Sequence, residues 1–215
     1  MKRAVRVKVC GIRSAEVAKH AESQGADYVG VIHFEKSPRH VPLEQMKQVI
    51  KELTAAKSVA VMVAPNLDFL EEVKALGFDR FQIHFKLEEV PKVEIWSKTV
   101  GKSRLWLVPK VKPDEEFPES ILEFADGVLI DTYSADAYGG TGKTGDWERF
   151  KELKNRFPEK QFILSGGLNP SNICTAIAES GADFVDLSSG VESSPGVKNL
   201  GLISDLFKQS CLSKS

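Results

Sequence analysis

The sequence predicts a closed parallel sheet of eight strand–helix units, a (β/α)8 TIM barrel of the α/β class, with residues 1–215 as one domain. Three observations lead there. Short apolar runs rich in Val, Ile and Phe recur along the whole chain, in units of roughly 27 residues that suit the compact end of this architecture. Most of them are apolar without alternation, as strands covered on both faces of a parallel sheet are. Between them lie helix-length stretches whose apolar residues fall near i, i+3 and i+4, with charge on the remaining face. No proline- or serine-rich linker divides the chain.

The elements follow in order. VRVKVCG, from Val5, predicts the first strand, and RSAEVAKHAESQ the helix after it. YVGVIHF from Tyr28 precedes LEQMKQVIKEL, and SVAVMVA from Ser58 precedes LDFLEEVKAL. RFQIHF from Arg80 leads into KLEEVPKVEIWSKTVGK, where Pro91 and Gly101 interrupt the pattern and a short helix is expected. RLWLVPKV from Arg104 is the fifth strand and GVLIDTYS from Gly127 the sixth, before the helical WERFKELKNRF. QFILSGG from Gln161 precedes NPSNICTAIAES, and FVDLSSG from Phe184 closes the series. A weak internal repeat marks the joints: Gly25-Ala26-Asp27-Tyr28-Val29 matches Gly181-Ala182-Asp183-Phe184-Val185, with fainter echoes at Gly77-Phe78-Asp79 and Ala125-Asp126-Gly127. Glycine suits a left-handed helix cap and aspartate the tight turn into a strand, so these aspartates read as structural.

Bulk charge excludes some partners. The chain has 29 basic and 30 acidic residues and a net charge of -1, which gives no footprint for nucleic acid or for an anionic membrane. The start has no signal-peptide pattern, and no apolar run approaches bilayer-spanning length, so a cytoplasmic protein is expected. The three cysteines, Cys10, Cys174 and Cys211, are few and scattered. A disulfide framework and a zinc site are therefore not expected. Cys174 reads as core, and Cys211 as part of a frayed polar tail.

In such barrels the chemistry sits where strands end and βα loops begin. Those ends carry Cys10, His33, the loop Glu35-Lys36-Ser37-Pro38-Arg39, His84, Asp131, Gly166-Gly167 and Ser188-Ser189-Gly190. The glycines after strands seven and eight allow close approach of backbone N–H groups to a phosphate. Cys10 and Asp131 end strands one and six, across the mouth, where a thiolate could accept a proton and a carboxyl donate one. The loop Gly139-Gly140-Thr141-Gly142-Lys143-Thr144 approaches the nucleotide-binding P-loop pattern, but Ala137 stands where its first glycine belongs. It reads as a glycine-rich active-site loop instead.

The wording of these segments resembles the phosphoribosylanthranilate isomerase family over nearly the whole chain. The segments are Lys8-Val9-Cys10-Gly11-Ile12, Lys36-Ser37-Pro38-Arg39, Gln82-Ile83-His84, Leu129-Ile130-Asp131-Thr132, Gly139 through Thr144 with Asp146-Trp147, Ser165-Gly166-Gly167-Leu168, and Asp186 through Gly196. The resemblance implies the Amadori rearrangement of N-(5'-phosphoribosyl)anthranilate to 1-(2-carboxyphenylamino)-1-deoxyribulose 5-phosphate, a step of tryptophan biosynthesis that uses no metal or organic cofactor. It implies Asp131 as general acid, Cys10 as general base, and Arg39 facing the anthranilate carboxylate. The phosphate would rest near Gly166, Gly167, Ser188, Ser189 and Gly190, with His84 in the mouth. The implied partner is the small phosphorylated substrate, on a monomer or homodimer. Three positions depart from the family pattern: Phe85, which could crowd the mouth, Glu35, which adds negative charge near an anionic substrate, and Ala64-Pro65-Asn66. Two other readings compete. One is a different phosphosugar isomerase barrel, though that kind tends to pair aspartates at its strand ends. The other is a non-catalytic paralogue that binds a phosphorylated metabolite.

Overall fold

The computed structural model describes residues 5–112, 114–131 and 146–212. Eight parallel strands close in sequence order, with β1 pairing both β2 and β8. They are β1 (Arg6–Cys10), β2 (Tyr28–His33), β3 (Lys57–Val63), β4 (Arg80–Lys86), β5 (Leu105–Lys110), β6 (Gly127–Ile130), β7 (Gln161–Leu164) and β8 (Phe184–Leu187). Among the described residues seven α-helices surround them: α1 (Ala15–Gln24), α2 (Leu43–Ile50), α3 (Leu67–Ala75), α4 (Val93–Val100), α5 (Trp147–Arg156), α6 (Ile173–Ser180) and α7 (Leu200–Phe207). Among the described residues the β5–β6 connection has only a short 3-10 turn, Glu119–Glu123, where a helix would complete the pattern. After β8 a small antiparallel hairpin, β9 (Glu192–Ser194) and β10 (Val197–Lys198), lies before α7. No described helix is long and apolar enough to cross a membrane.

The repeated Gly–Asp joints have the physical role that their residue types suggest. Gly25 caps α1 at φ 114° and Gly181 caps α6 at φ 68°, both in the left-handed region. A Cβ there would be strained, which is why glycine stands at these ends. Two residues after Gly25 and Gly77, an aspartate ties its turn to the neighbouring strand. Asp27 accepts from the Val7 amide at 2.7 Å, and Asp79 from both the amide and hydroxyl of Ser58 at 2.9 Å. Helix starts are capped by Ser14, Asn66, Asp146 and Asn199, each side chain accepting from an amide in its own first turn. Such a cap contributes about 1 kcal/mol.

Two apolar clusters account for the unalternating strands. Outward residues such as Val7, Val9, Val29, Val31, Phe81, Ile83 and Phe85 pack under the helices. Inward residues Tyr28, Val59, Val61, Trp106, Val108, Leu129, Ile163 and Phe184 fill the barrel. Tyr28, Trp106 and Phe184 meet with ring centroids 4.9 to 5.4 Å apart. Arg6 lies over Phe184 at 4.6 Å and donates to Gln161 at 2.6 Å. One end of the barrel is thus packed solid and the other is free to hold a site.

Three expectations are overturned. Cys174 and Cys211 form a disulfide, with Cα atoms 5.5 Å apart. The separation of 37 residues hid it, because the fold and not the spacing brings the tail back onto α6. The tail is not frayed as far as Leu212, which is 2% exposed in the core beside Cys211. Phe85 does not crowd the mouth: it is fully buried in the outer cluster, edge-on to Trp96 with centroids 5.7 Å apart. A strand's period of two sends Phe85 outward because His84 faces in.

Candidate active site

An open cavity lies where the strands end. Its lining includes Cys10 from β1, Arg39, His84 from β4, Asp131 after β6, Gly166 and Gly167 after β7, and Ser188 and Ser189 after β8. Eight of the nine residues singled out from the sequence therefore meet in one place. Gly190 is not in the wall. A Cβ on it would stand 1.9 Å from the Leu168 carbonyl oxygen and 2.7 Å from the Asn169 Cβ. Its glycine lets the loops after β7 and β8 touch. The glycine-rich segment Gly139 through Thr144, with Thr132, lies outside the described residues.

The two loops are held from below. Gly166 and Gly167 have φ 92° and 65°, a turn that favours glycine. The Gly167 carbonyl accepts from the side-chain amides of Asn172 at 2.9 Å and Asn169 at 3.3 Å. Lys198 of β10 donates to the Ser188 carbonyl at 2.8 Å, and the Ser188 hydroxyl donates to the Cys10 carbonyl at 3.1 Å. These contacts fix the backbone at which an anion would be received.

Arg39 is 7% exposed and crosses Gly11, where a Cβ would stand 2.6 Å from its Cδ. Its Nε and Nη2 donate to the two carboxylate oxygens of Glu192, each at 2.8 Å. Glu192 also receives Lys198 at 2.6 Å. Burial pushes the Glu192 carboxyl up, but Arg39 and Lys198 outweigh it and hold it below the ordinary range. The fork clamped on Glu192 uses Nε and Nη2, and Arg39 also lines the cavity.

A second set of buried charges stands beside Cys10. Lys8 is fully buried, and its ammonium donates to both oxygens of Asp186 at 2.9 Å. The two residues are register partners on β1 and β8. A Cβ on Gly30 would lie 2.8 Å from the Cys10 sulfur and 3.1 Å from the Lys8 Nζ, so the sulfur and the ammonium share one small space that glycine leaves open. Burial disfavours the Lys8 charge, yet Asp186 and Cys10 more than offset it and hold its pKa above the ordinary lysine value. Burial pushes the Asp186 carboxyl above the ordinary range, opposed by Lys8, whose two bonds to the carboxylate oxygens favour the charged form. Burial pushes the Cys10 thiol up, opposed by Lys8 and aided by Asp186.

His84 accepts from the Gln82 side-chain amide through Nε2 at 2.9 Å. Burial and the Lys8 cation push it down to about 3, so it is a neutral imidazole in the wall. Lys8, Asp186, Gln82 and Glu192 were not singled out individually from the sequence. The signal was present: Lys8 and Asp186 stand two residues before Cys10 and Ser188, inside apolar runs, and so on the same strand face. His33 turns from this cavity to a neighbouring one, shared with Glu35 and Phe69, and its Nδ1 contacts the Val41 carbonyl at 3.0 Å. Glu35 is exposed there and does not line the main cavity.

Comparison with known proteins bears on this geometry. Residues 7–209 match the family model described as N-(5'phosphoribosyl)anthranilate (PRA) isomerase. The N-(5'-phosphoribosyl)anthranilate isomerase of Aquifex aeolicus is 39% identical over 208 residues, covering 95% of this chain and 98% of that protein. The Thermotoga maritima phosphoribosyl anthranilate isomerase superposes with a TM-score of 0.80 at 32% identity, over 95% of this chain and 97% of the other. Another solved phosphoribosyl anthranilate isomerase, in complex with reduced 1-(o-carboxyphenylamino)-1-deoxyribulose 5-phosphate, superposes at 0.73 with 29% identity and the same coverage.

Proposed function

This chain belongs to the N-(5'-phosphoribosyl)anthranilate isomerase family, and from that premise we propose how its own residues perform the Amadori rearrangement in tryptophan biosynthesis. The carrying observation is that Cys10 and Asp131 share one cavity with the two glycine-bearing loops and Arg39. The phosphate of the aminoaldose rests on backbone groups after β7 and β8, with Gly166, Gly167, Ser188 and Ser189 around it. Gly190 keeps those loops in contact. The outward edge of Arg39 faces the anthranilate carboxylate, since a guanidinium offers donors in a plane.

With both ends held, Asp131 protonates the furanose ring oxygen and the ring opens to a protonated imine. Cys10, as thiolate, takes the C2 proton. The enolamine that results tautomerises to the ketone. The imine cation acidifies the C2–H bond, and it is also a positive charge near the sulfur, which favours the thiolate. One proton leaves Asp131 and one arrives at Cys10, so exchange with solvent restores both groups with no net proton consumed. Neutral His84 lines the wall without adding a charge. No cofactor enters this scheme.

Loss of anthranilate-type fluorescence tests it, with phosphoribosylanthranilate generated in place. The parent chain should turn over, and Cys10→Ser and Asp131→Asn should each lose about 100-fold or more in kcat, the usual scale of general acid–base catalysis. Binding of the phosphate-bearing product should survive in both. Near-parental kcat in either variant would remove that residue from its role. Absent turnover in the parent, with product still bound, would leave a binding protein instead.

A further inference from the structure

A buried lysine is costly unless its charge is paired and hydrogen-bonded. Lys8 stands in the strand of Cys10, on the same face, and is fully buried. Asp186 takes two bonds from its ammonium, yet Lys8 is not turned away from the site. Its Nζ and the Cys10 sulfur crowd the same glycine. A structural pair sealed in the barrel core would have no reason to share space with a reactive thiol. Asp186 itself lines the cavity, so the pair borders the space that a substrate would fill.

We propose that Lys8 is a positioning residue for Cys10: its ammonium, clamped on one side by Asp186, is the counter-charge that receives the Cys10 thiolate when the thiol gives up its proton. Only the S–H bond breaks in that ionisation, and the proton leaves to solvent at the cavity mouth. The charges around the sulfur then have distinct parts. Lys8 on β1 favours the thiolate. Asp186 on β8 opposes it and shares the ammonium, so it moderates the effect. Lys198 on β10 is a weaker positive contribution, already committed to Glu192 beside Arg39. His84 on β4 is neutral, and Asp131 at the end of β6 lines the same cavity. The inference rests on the reading of Cys10 as the base, but its first test needs no turnover.

That test is the rate of Cys10 alkylation by iodoacetamide as a function of pH, because only the thiolate reacts. It is run in a Cys174→Ala/Cys211→Ala background, where Cys10 is the one cysteine left in the chain. Asp186→Asn frees the ammonium and should raise the rate at neutral pH on the order of tenfold, while Lys8→Met should lower it by a similar factor. The Lys8→Met/Asp186→Leu double variant, which leaves no unpaired buried charge, should fall between them. Opposite displacements are the signature, since a merely structural pair would loosen the site and move both single variants the same way. Same-direction shifts, or none, would overturn the proposal. If Lys8→Met does not fold by circular dichroism, Asp186→Asn must still react faster than both the parent background and the double variant, and failure to do so is equally decisive. The acidic limb of kcat/KM against pH should move in the same directions. A parent chain without turnover would defeat the isomerase reading and leave the alkylation series to judge the ion pair alone.

Discussion

Gln82 carries an amide oxygen that is buried with no hydrogen-bond partner among the described residues. Its side chain is 1% exposed and borders the cavity, while its amide nitrogen is held by His84. A buried acceptor left unpaired is costly, and a sugar hydroxyl would satisfy it. Gln82→Met should therefore raise KM roughly tenfold, about the worth of one such bond, with a smaller change in kcat. Steady-state kinetics check this, and an unchanged KM would assign Gln82 to packing alone. His84 makes a second prediction. Its pKa falls from 6.5 to about 3 through burial and then the Lys8 cation, so between those values the unfolded chain binds a proton that the native one refuses. The stability involved is complete above pH 6.5 and is lost as pH falls toward 3. His84→Asn should flatten the decline of Tm across that window; an unaltered slope in thermal scans would show that other groups cause it. Cys10, Arg39, His84 and Asp131 were legible because they stand at strand ends within distinctive wording. Lys8 and Asp186 carry a fainter signal, because each sits one strand period below the rim. Glu192 was hidden because its partner Arg39 is distant in sequence.

At the scale of elements, the strands and most helices were legible wherever a period persisted. The β5–β6 connection was not, since no sustained apolar period runs through it, and among the described residues it holds only a 3-10 turn. The direction of Phe85 required the inward reading of His84 first. Gly190 shows how an element junction constrains function. Its residue type reads as a phosphate contact, and the geometry also makes it the contact between two loops. Gly190→Ala would drive a methyl group into the Leu168 carbonyl, and one loop must move. The expected cost is about 1–3 kcal/mol in urea unfolding, as for other overpacked sites. Because the moved loop holds Gly166 and Gly167, or else Ser189, inorganic phosphate should also inhibit turnover less well. Stability and inhibition both at parental values would mean that the loops separate without consequence.

For the whole molecule, the disulfide couples the last turn of chain to α6 across the outside of the barrel. Cys211 follows α7 and Cys174 lies in α6, so the bridge closes 37 residues that include β8, the hairpin and the loop carrying Ser188 through Gly190. The chain entropy removed from the unfolded state by a loop of that length corresponds to about 4 kcal/mol, and engineered or native bridges commonly deliver about 2–4. For a domain of this size each kcal/mol moves Tm by roughly 2–4 °C. Reduction, or Cys174→Ala/Cys211→Ala, should then lower Tm by about 5–15 °C in calorimetry. The catalytic groups lie at the strand ends and not at this contact, so kcat at moderate temperature should be unchanged. Scattered cysteines argued against such a bridge, but closure of the barrel places α6 and the chain end side by side whatever their separation in sequence. A Tm that is indifferent to reductant would show that Leu212 and its apolar neighbours hold the tail without help. A loss of kcat alongside Tm would instead mean that the tail's anchorage is transmitted through β8 to the loop that receives the phosphate.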